Sequence, residues 1–430
     1  MDGHAKARMM RRGLLRLSRA RRTFPLMSLP PLSPEQQIKP RRFELRISLI
    51  FAALFIPLGV HLPYFPLWLE AKGFDAAQIA IILSAPMFLR VVTTPFITAL
   101  ADEAKDRANV LIALVAAALV LSAGYFLEPT YVVVLGVSLA LAVVWTPHSP
   151  LADSLALSGV RRFRSNYANM RIWGSVAFLC ANLGGGFVLA ITSADAVPAM
   201  ISIGLCGTLL AALFAPRLGR PRRASPLSAA DLQDSAPKLL NRYFLLFVAG
   251  AGVINASHGF LFTFVSIYWK SIGLGDTLIG LLWAWAVVAE VCMFLVFTRV
   301  FGKVSAPVLL VAAGLAAVVR WIAYPLIWPL GFGVAGFFVV QTLHAVSTGL
   351  ILIGVQKLIA ETVAEERTGA AQGIAFFANG FSMAAATLLS GPLYAAFGVG
   401  GFFPMAVFAL AGTGLIMLAA RSAPERLLGR

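Results

Sequence analysis

The sequence predicts an all-α membrane protein with twelve transmembrane helices in two pseudo-symmetric six-helix bundles. Three observations predict it. Of the 430 residues 59% are hydrophobic and 13% charged, with a mean hydropathy of +0.83, well outside the range of a soluble domain. The apolar residues gather in runs of about 20, the length that crosses a hydrocarbon core as a helix, where lipid offers unpaired backbone groups no partner. The chain also repeats itself. Moving it by 200 positions lays Leu67-Trp68-Leu69-Glu70 through Gly73-Phe74 on Ile267-Tyr268-Trp269-Lys270 through Gly273-Leu274, and Arg90 on Glu290.

The elements follow in order. Residues 1–46 form a basic tail with twelve Lys/Arg, three acids and a Pro-rich stretch from Pro25 to Pro40. Without an apolar period it is expected to be disordered, and it holds no apolar core of a cleavable signal. Its Arg-rich start also fits a transit peptide, or a reading frame that truly begins at Met27. The first bundle, 47–216, carries spans near 47–70, 76–100, 108–127, 131–157, 170–191 and 196–216. A linker, 217–242, contains Arg217, Arg220, Arg222 and Arg223 among prolines and serines and reads as a solvated tether. The second bundle, 243–420, carries spans near 243–268, 277–300, 306–327, 333–357, 370–396 and 402–420, followed by a short tail, 421–430. Lys and Arg crowd the tails, the linker and the alternate connections 101–107, 158–169, 301–305 and 358–369, leaving Lys72 and Lys270 at the other side. That asymmetry places both termini in the cytoplasm.

Charge placement also decides among function classes. The formal charge of +16 would suit a nucleic-acid binder, but it lies between apolar runs and on one side, so its cause is topology and no nucleic-acid partner is expected. Cys180, Cys206 and Cys292 fall inside apolar runs in no metal-ligand or redox spacing. No phosphate loop is present. The drive is therefore expected to be a gradient, with no cofactor and no metal.

Ionisable groups inside spans need a partner or a watery cavity, because a bare charge in hydrocarbon is unfavourable by a few kcal/mol or more. Span 2 carries Arg90, span 4 Asp153, span 5 Arg171, span 8 Glu290, span 9 Arg320 and span 10 His344. Asp153 and Arg171 flank a hairpin with its apex at Arg162 and so reach similar depth on antiparallel neighbours; the pair suits substrate binding or gating, or else a structural ion pair. Glu290 has Trp283, Val287 and Phe294 on its own helical face, which disfavours the charged form and makes a carboxyl poised to bind a proton; the alternative is a structural tie to Arg320. Gln341, His344 and Thr348 form a polar stripe on span 10, and span 7 repeats the idea with Asn255 and His258. Such histidines suit a proton relay or an interhelical hydrogen bond. His61 and His148 carry a weaker signal. Trp173 and Trp283 suit a cavity lining that receives a ring, or core packing. Three arginines, Arg90, Arg171 and Arg320, face two intramembrane acids, so one cation is available to hold a substrate carboxylate in a two-bond fork.

These residues carry a family resemblance. The stretches Pro150-Leu151-Ala152-Asp153, Arg171-Ile172-Trp173-Gly174-Ser175-Val176-Ala177-Phe178, Ile267-Tyr268-Trp269, Val287-Val288-Ala289-Glu290-Val291, Val319-Arg320-Trp321 and Leu343-His344 resemble the major facilitator superfamily (MFS), in particular its phenylpropionic acid permease branch. The resemblance runs from about residue 47 to 420. It implies the MFS fold, alternating access, and proton-coupled uptake of a small aromatic acid such as 3-phenylpropionate across a bacterial inner membrane by a protein that functions as a monomer. The related oligosaccharide:proton symporters share the acid-to-Arg hairpin, which implies substrate binding by Asp153 and Arg171. They also imply proton coupling through Glu290, Arg320 and His344. One departure matters: those symporters carry a proton-binding Glu one turn after the His, where this chain has Ser347. The superfamily's gating loop G-x-L-A-D-R-x-G-R-K is met at Leu100, Ala101, Asp102 and Arg107 but not at Thr98, Glu103, Lys105 or Asp106, so a gating role is implied for Asp102 and Arg107 with altered chemistry. Competing readings are symport of a sugar or nucleoside, efflux of amphipathic compounds, and a non-transporting receptor; intramembrane charges on six spans argue against the last.

Overall fold

The computed structural model describes residues 38–219, 241–363 and 368–421. The basic start of the chain, including Met27, the middle of the linker and the C-terminal tail lie outside the described residues. Spans 1 to 3 are Phe43–Ala71, Ala76–Glu103 and Arg107–Ser122. Span 4 comes as two half-helices, Tyr131–Trp145 and His148–Phe163, followed by span 5, Tyr167–Ile191, and span 6, Ala196–Leu213. In the second half span 7 is split into Arg242–Ala256 and Gly259–Ser271, span 8 is Asp276–Val300 and span 9 Ala306–Ile327. Span 10 joins Gly333–His344 to Leu350–Thr362 through a π turn, Ala345–Gly349; spans 11 and 12 are Thr368–Phe397 and Phe402–Arg421. Eleven helical runs are long and apolar enough to cross a membrane, and the last, Ala371–Arg421, has 51 residues. At 1.5 Å per residue that run is more than twice a roughly 30 Å core, and the tight turn Gly398–Gly401 folds it into two crossings, making twelve among the described residues.

Polar residues in the short connections start these helices. Asp75 accepts from the Gln78 amide while Gln78 returns a bond to the Asp75 amide, and Asp106, Thr130, Asn166 and Asn241 accept from the first turns of spans 3, 4, 5 and 7. Each satisfies an orphan N–H of a helix N-terminus. The 200-residue repeat is visible in the backbone: Gly73 (φ 82°) and Gly273 (φ 88°) take the left-handed conformation in the turns after spans 1 and 7. The break in span 4 at Thr146-Pro147 likewise falls opposite the π turn in span 10. Proline explains the first break, since it lacks an N–H and its ring crowds the preceding turn. Sequence reading treats span 4 as continuous through 131–157; the structure divides it there.

The outer faces are apolar. Val92, Phe96, Val132, Ile203, Leu295 and Val339 are all more than 60% exposed, an arrangement stable against lipid and not against water. At the arginine-rich end of the first half, Arg46 donates to the carbonyls of Phe214 and Ala215, and Arg162 to that of Leu218. These cations satisfy the orphan carbonyls that follow span 6.

The halves meet through spans 2 and 11, 5 and 8, and 1 and the second part of 7. The tightest of these approaches lie at the end opposite the arginines. Tyr64 donates to the Asn182 carbonyl, and Gly280 of span 8 packs against both: a Cβ there would stand 2.5 Å from the Asn182 oxygen. Gly391 likewise sits against Ala76, Ala77 and Ala80. Only a bare backbone fits such crossings. Gly280→Trp is accordingly expected to force this end apart, seen as a longer distance between spin labels at Ser193 and Lys270 in a cysteine-free background. An unchanged distance would show that the closure does not depend on the glycine contact.

Candidate functional site

A central cavity of about 350 Å³ lies between the halves, lined by Phe55, Leu58, His61 and Phe65 of span 1, Pro86, Met87 and Arg90 of span 2, and Trp145, Thr146, His148 and Ser149 around the break in span 4. Phe262, Thr263 and Thr387 close it from the second half. No carboxylate is among the lining residues. Arg90 hydrogen-bonds and ion-pairs with no described residue. An enclosed guanidinium with open donors beside aromatic walls is arranged to receive an anion with an apolar body.

Asp153 and Arg171 come together behind that cavity but do not form a close ion pair. Tyr167 donates to Asp153 at 2.8 Å, and Arg171 stands beside both. The Arg171 guanidinium lies over Phe55 at 4.2 Å and Phe51 at 5.4 Å, each a favourable cation–π contact. Gly174 makes room for it, since a Cβ there would come 2.8 Å from its Nη1. Tyr167 is the member of this cluster that sequence reading missed; its place one turn before Arg171 is the available signal.

The aromatic candidates separate. Trp173 is 52% exposed and lines neither cavity described here. Trp283 is buried, donates from its indole to Ser266 at 2.9 Å and stacks on Phe262, so it backs a cavity residue instead of lining the cavity.

In the second half Arg320 is fully buried. Its Nη2 donates to Gln341 Oε1 at 2.6 Å and its Nη1 to Ser347 Oγ at 3.3 Å, while Tyr324 donates to the same Gln341 oxygen at 2.8 Å. Gln341 in turn donates to the Leu282 carbonyl at 3.1 Å. His258 Nδ1 lies 3.1 Å from the Asn255 carbonyl and Nε2 lies 3.0 Å from Ser347 Oγ. A carbonyl only accepts, so Nδ1 carries the proton of the neutral ring and Nε2 accepts from Ser347. Ser347, where the sugar symporters carry an acid, thus bridges His258 and Arg320. His344 stands 6.1 Å from His258, ring to ring, with Nδ1 unpartnered. Glu290, half-buried on span 8, makes no hydrogen bond or ion pair to a described residue and lines neither cavity. The alternative tie between Glu290 and Arg320 is absent among the described residues: the guanidinium bonds Gln341 and Ser347 through Nη2 and Nη1, and its Nε has no described partner. Gln341→Leu removes the acceptor shared by a buried cation and a buried phenol and is expected to destabilise the protein by about 3 kcal/mol, read as a lower Tm in detergent; an unchanged Tm would show that the network tolerates its loss.

At the arginine-rich end Asp102 pairs with Arg107 of its own loop at 2.6 Å. The neighbouring Asp106 accepts from the amides of Ala108 and Gly219 and so caps span 3. A second cavity of about 750 Å³ lies toward the same end between spans 2, 7, 10 and 11, where Asn255, Gln356, Gln372, Asn379 and Thr348 supply its polar groups without a charge.

The "Probable 3-phenylpropionic acid transporter" of Escherichia coli (strain K12) is 26% identical over 375 residues, spanning 85% of this chain and 94% of that protein. Maltose permease of Geobacillus stearothermophilus is 29% identical over 296 residues, 67% of this chain and 71% of the permease. The crystal structure of nucleoside transporter NupG shares the fold with a TM-score of 0.69 at 15% identity, covering 88% of this chain and 98% of that one. Residues 44–405 match the MFS_1 like family, and the chain belongs to that family as a multi-pass membrane transporter of the major facilitator superfamily.

Proposed function

We propose that this transporter carries a small aromatic monocarboxylate of the 3-phenylpropionate kind inward together with protons. The observation that carries the reading is Arg90, a cation without a described counter-ion in a cavity lined by aromatic side chains and no carboxylate. A carboxylate supplies the missing charge and an arene suits Phe55, Phe65 and Trp145. The relative named for 3-phenylpropionic acid supports the same class. The positive-inside rule assigns the arginine-rich end to the cytoplasm of a bacterial inner membrane, with both termini inside. On that assignment the glycine-packed end is the closed outer gate, the second cavity is the inner vestibule, and a rocking of one half on the other exchanges access. The proton gradient is the drive, and one chain holds the whole pathway.

A second reading keeps a foothold. The vestibule's carboxamides suit hydroxyl-rich neutral solutes, and maltose and nucleosides name two of the similar proteins. Proteoliposomes with an imposed pH gradient separate the readings when offered labelled 3-phenylpropionate, maltose and uridine. The acid is expected to accumulate and the neutral solutes are not. Accumulation of a neutral solute with no uptake of any aromatic acid would overturn the proposal.

A further inference from the structure

We propose that His61 is a second recognition group in the central cavity and that the preferred substrate is an aromatic acid carrying a phenolic hydroxyl. The inference rests on the reading of Arg90 as a carboxylate site and adds the other end of the ligand. His61 lines the cavity, with Phe65 stacked on its ring at 4.5 Å and Trp145 edge-on at 5.5 Å. Those two contacts fix the ring plane and leave its nitrogens free: His61 hydrogen-bonds to no described residue, and it keeps partial exposure while enclosed by the bundle. His148, by contrast, is 1% exposed with its ring nitrogens sealed off near the Leu114 and Val144 carbonyls.

A neutral imidazole presents one donor and one acceptor, and an enclosed polar group calls for a partner. Some polar groups of the cavity are engaged, whereas the side chains of Thr146, Ser149 and His61 have no described hydrogen-bond partner. Tyr125 and Ser138 bond each other at 2.9 Å, and Thr263 donates to the Gly259 carbonyl at 2.7 Å. His61 therefore has water or the ligand to bond. It stands ten residues before the end of span 1 at Ala71, whereas Arg90 stands fourteen after the start of span 2 at Ala76, so the two differ in depth by roughly 6 Å. A carboxylate at Arg90 projects its ring along the wall of Phe65 and Trp145 toward His61. An unsubstituted phenyl there displaces water and leaves the imidazole unpaired, whereas a phenol offers both an acceptor and a donor.

Binding of 3-phenylpropionate and its 2-, 3- and 4-hydroxyphenyl isomers to the purified full-length protein tests this by calorimetry. At least one hydroxylated isomer is expected to bind about 10-fold tighter than the parent acid. In His61→Phe the ratio of the two affinities is expected to fall to about one, and His61→Gln, which keeps a donor and an acceptor, is expected to restore part of it. Equal affinities for all four acids in the wild type, or a preference that survives in His61→Phe, would overturn the role of His61 while leaving Arg90 as the carboxylate site. Failure of all four acids to bind the wild type overturns the carboxylate reading and this inference with it. Should His61→Phe fail to insert, the wild-type isomer series and His61→Gln decide the matter.

Discussion

Arg90→Gln is expected to lower uptake of 3-phenylpropionate at least about 30-fold while the protein still inserts and keeps its thermal stability to within a few degrees. Truncating one side of an enclosed, hydrogen-bonded charge pair is unfavourable by about 2–5 kcal/mol, and each 1.4 kcal/mol is tenfold in affinity. The stability expectation follows from the free protein, in which Arg90 bonds to no described residue: a side chain that makes few contacts before the ligand arrives takes few away when it is replaced. Arg90→Lys is expected to fall between the two, because lysine keeps the charge but not the planar fork. Arg171 makes the informative comparison. Its guanidinium is already cradled by Phe51, Phe55, Tyr167 and Asp153, so Arg171→Gln is expected to lower both uptake and Tm, whereas Arg90→Gln lowers uptake alone. Uptake by Arg90→Gln within a few-fold of wild type would move the carboxylate to Arg171.

The contrast between these two arginines shows where the sequence is informative. Both are visible as intramembrane cations, since lipid makes any charge in an apolar run conspicuous, and the 200-residue repeat places Arg90 opposite Glu290. Their surroundings are not visible. Spans 1 and 2 are apolar on all sides, so periodicity does not say which face meets the cavity, and His61 reads no differently from the sealed His148. The break at Thr146-Pro147 is written in a proline, yet the π turn over Ala345–Gly349 has no comparable residue to announce it. The capture of Arg320 by Gln341 and Ser347 depends on how spans 9 and 10 are rotated against each other. The alternative of a Glu290–Arg320 tie is open in the sequence, and only the packing shows neutral acceptors at the guanidinium instead. Trp283, which the sequence leaves between cavity lining and core packing, finds Ser266 one span away with its indole and forms part of the wall behind the cavity.

Glu290→Gln is expected to abolish accumulation of substrate against its gradient while leaving exchange of internal for external substrate. Arg320 bonds Gln341 and Ser347, and Glu290 sits on an apolar span without a cation partner among the described residues. An unpaired carboxylate in low dielectric is strongly disfavoured, so the partner it can acquire in each cycle is a proton. Coupling requires that proton to be bound at one face and released at the other, which a two-state rocking of the halves supplies if hydration of span 8 differs between the states. Glutamine mimics the neutral form in shape and hydrogen bonding but takes up no proton, so exchange continues while net proton-driven movement stops. The measurement is paired: counterflow in proteoliposomes loaded with unlabelled acid, and uptake driven by an imposed pH gradient. Retained counterflow with lost accumulation assigns the proton to Glu290. Retained accumulation would place it instead on the second-half network, where His344 leaves Nδ1 unpartnered, or on Asp153 beside Tyr167; His344→Gln and Asp153→Asn, put through the same pair of assays, then separate those two.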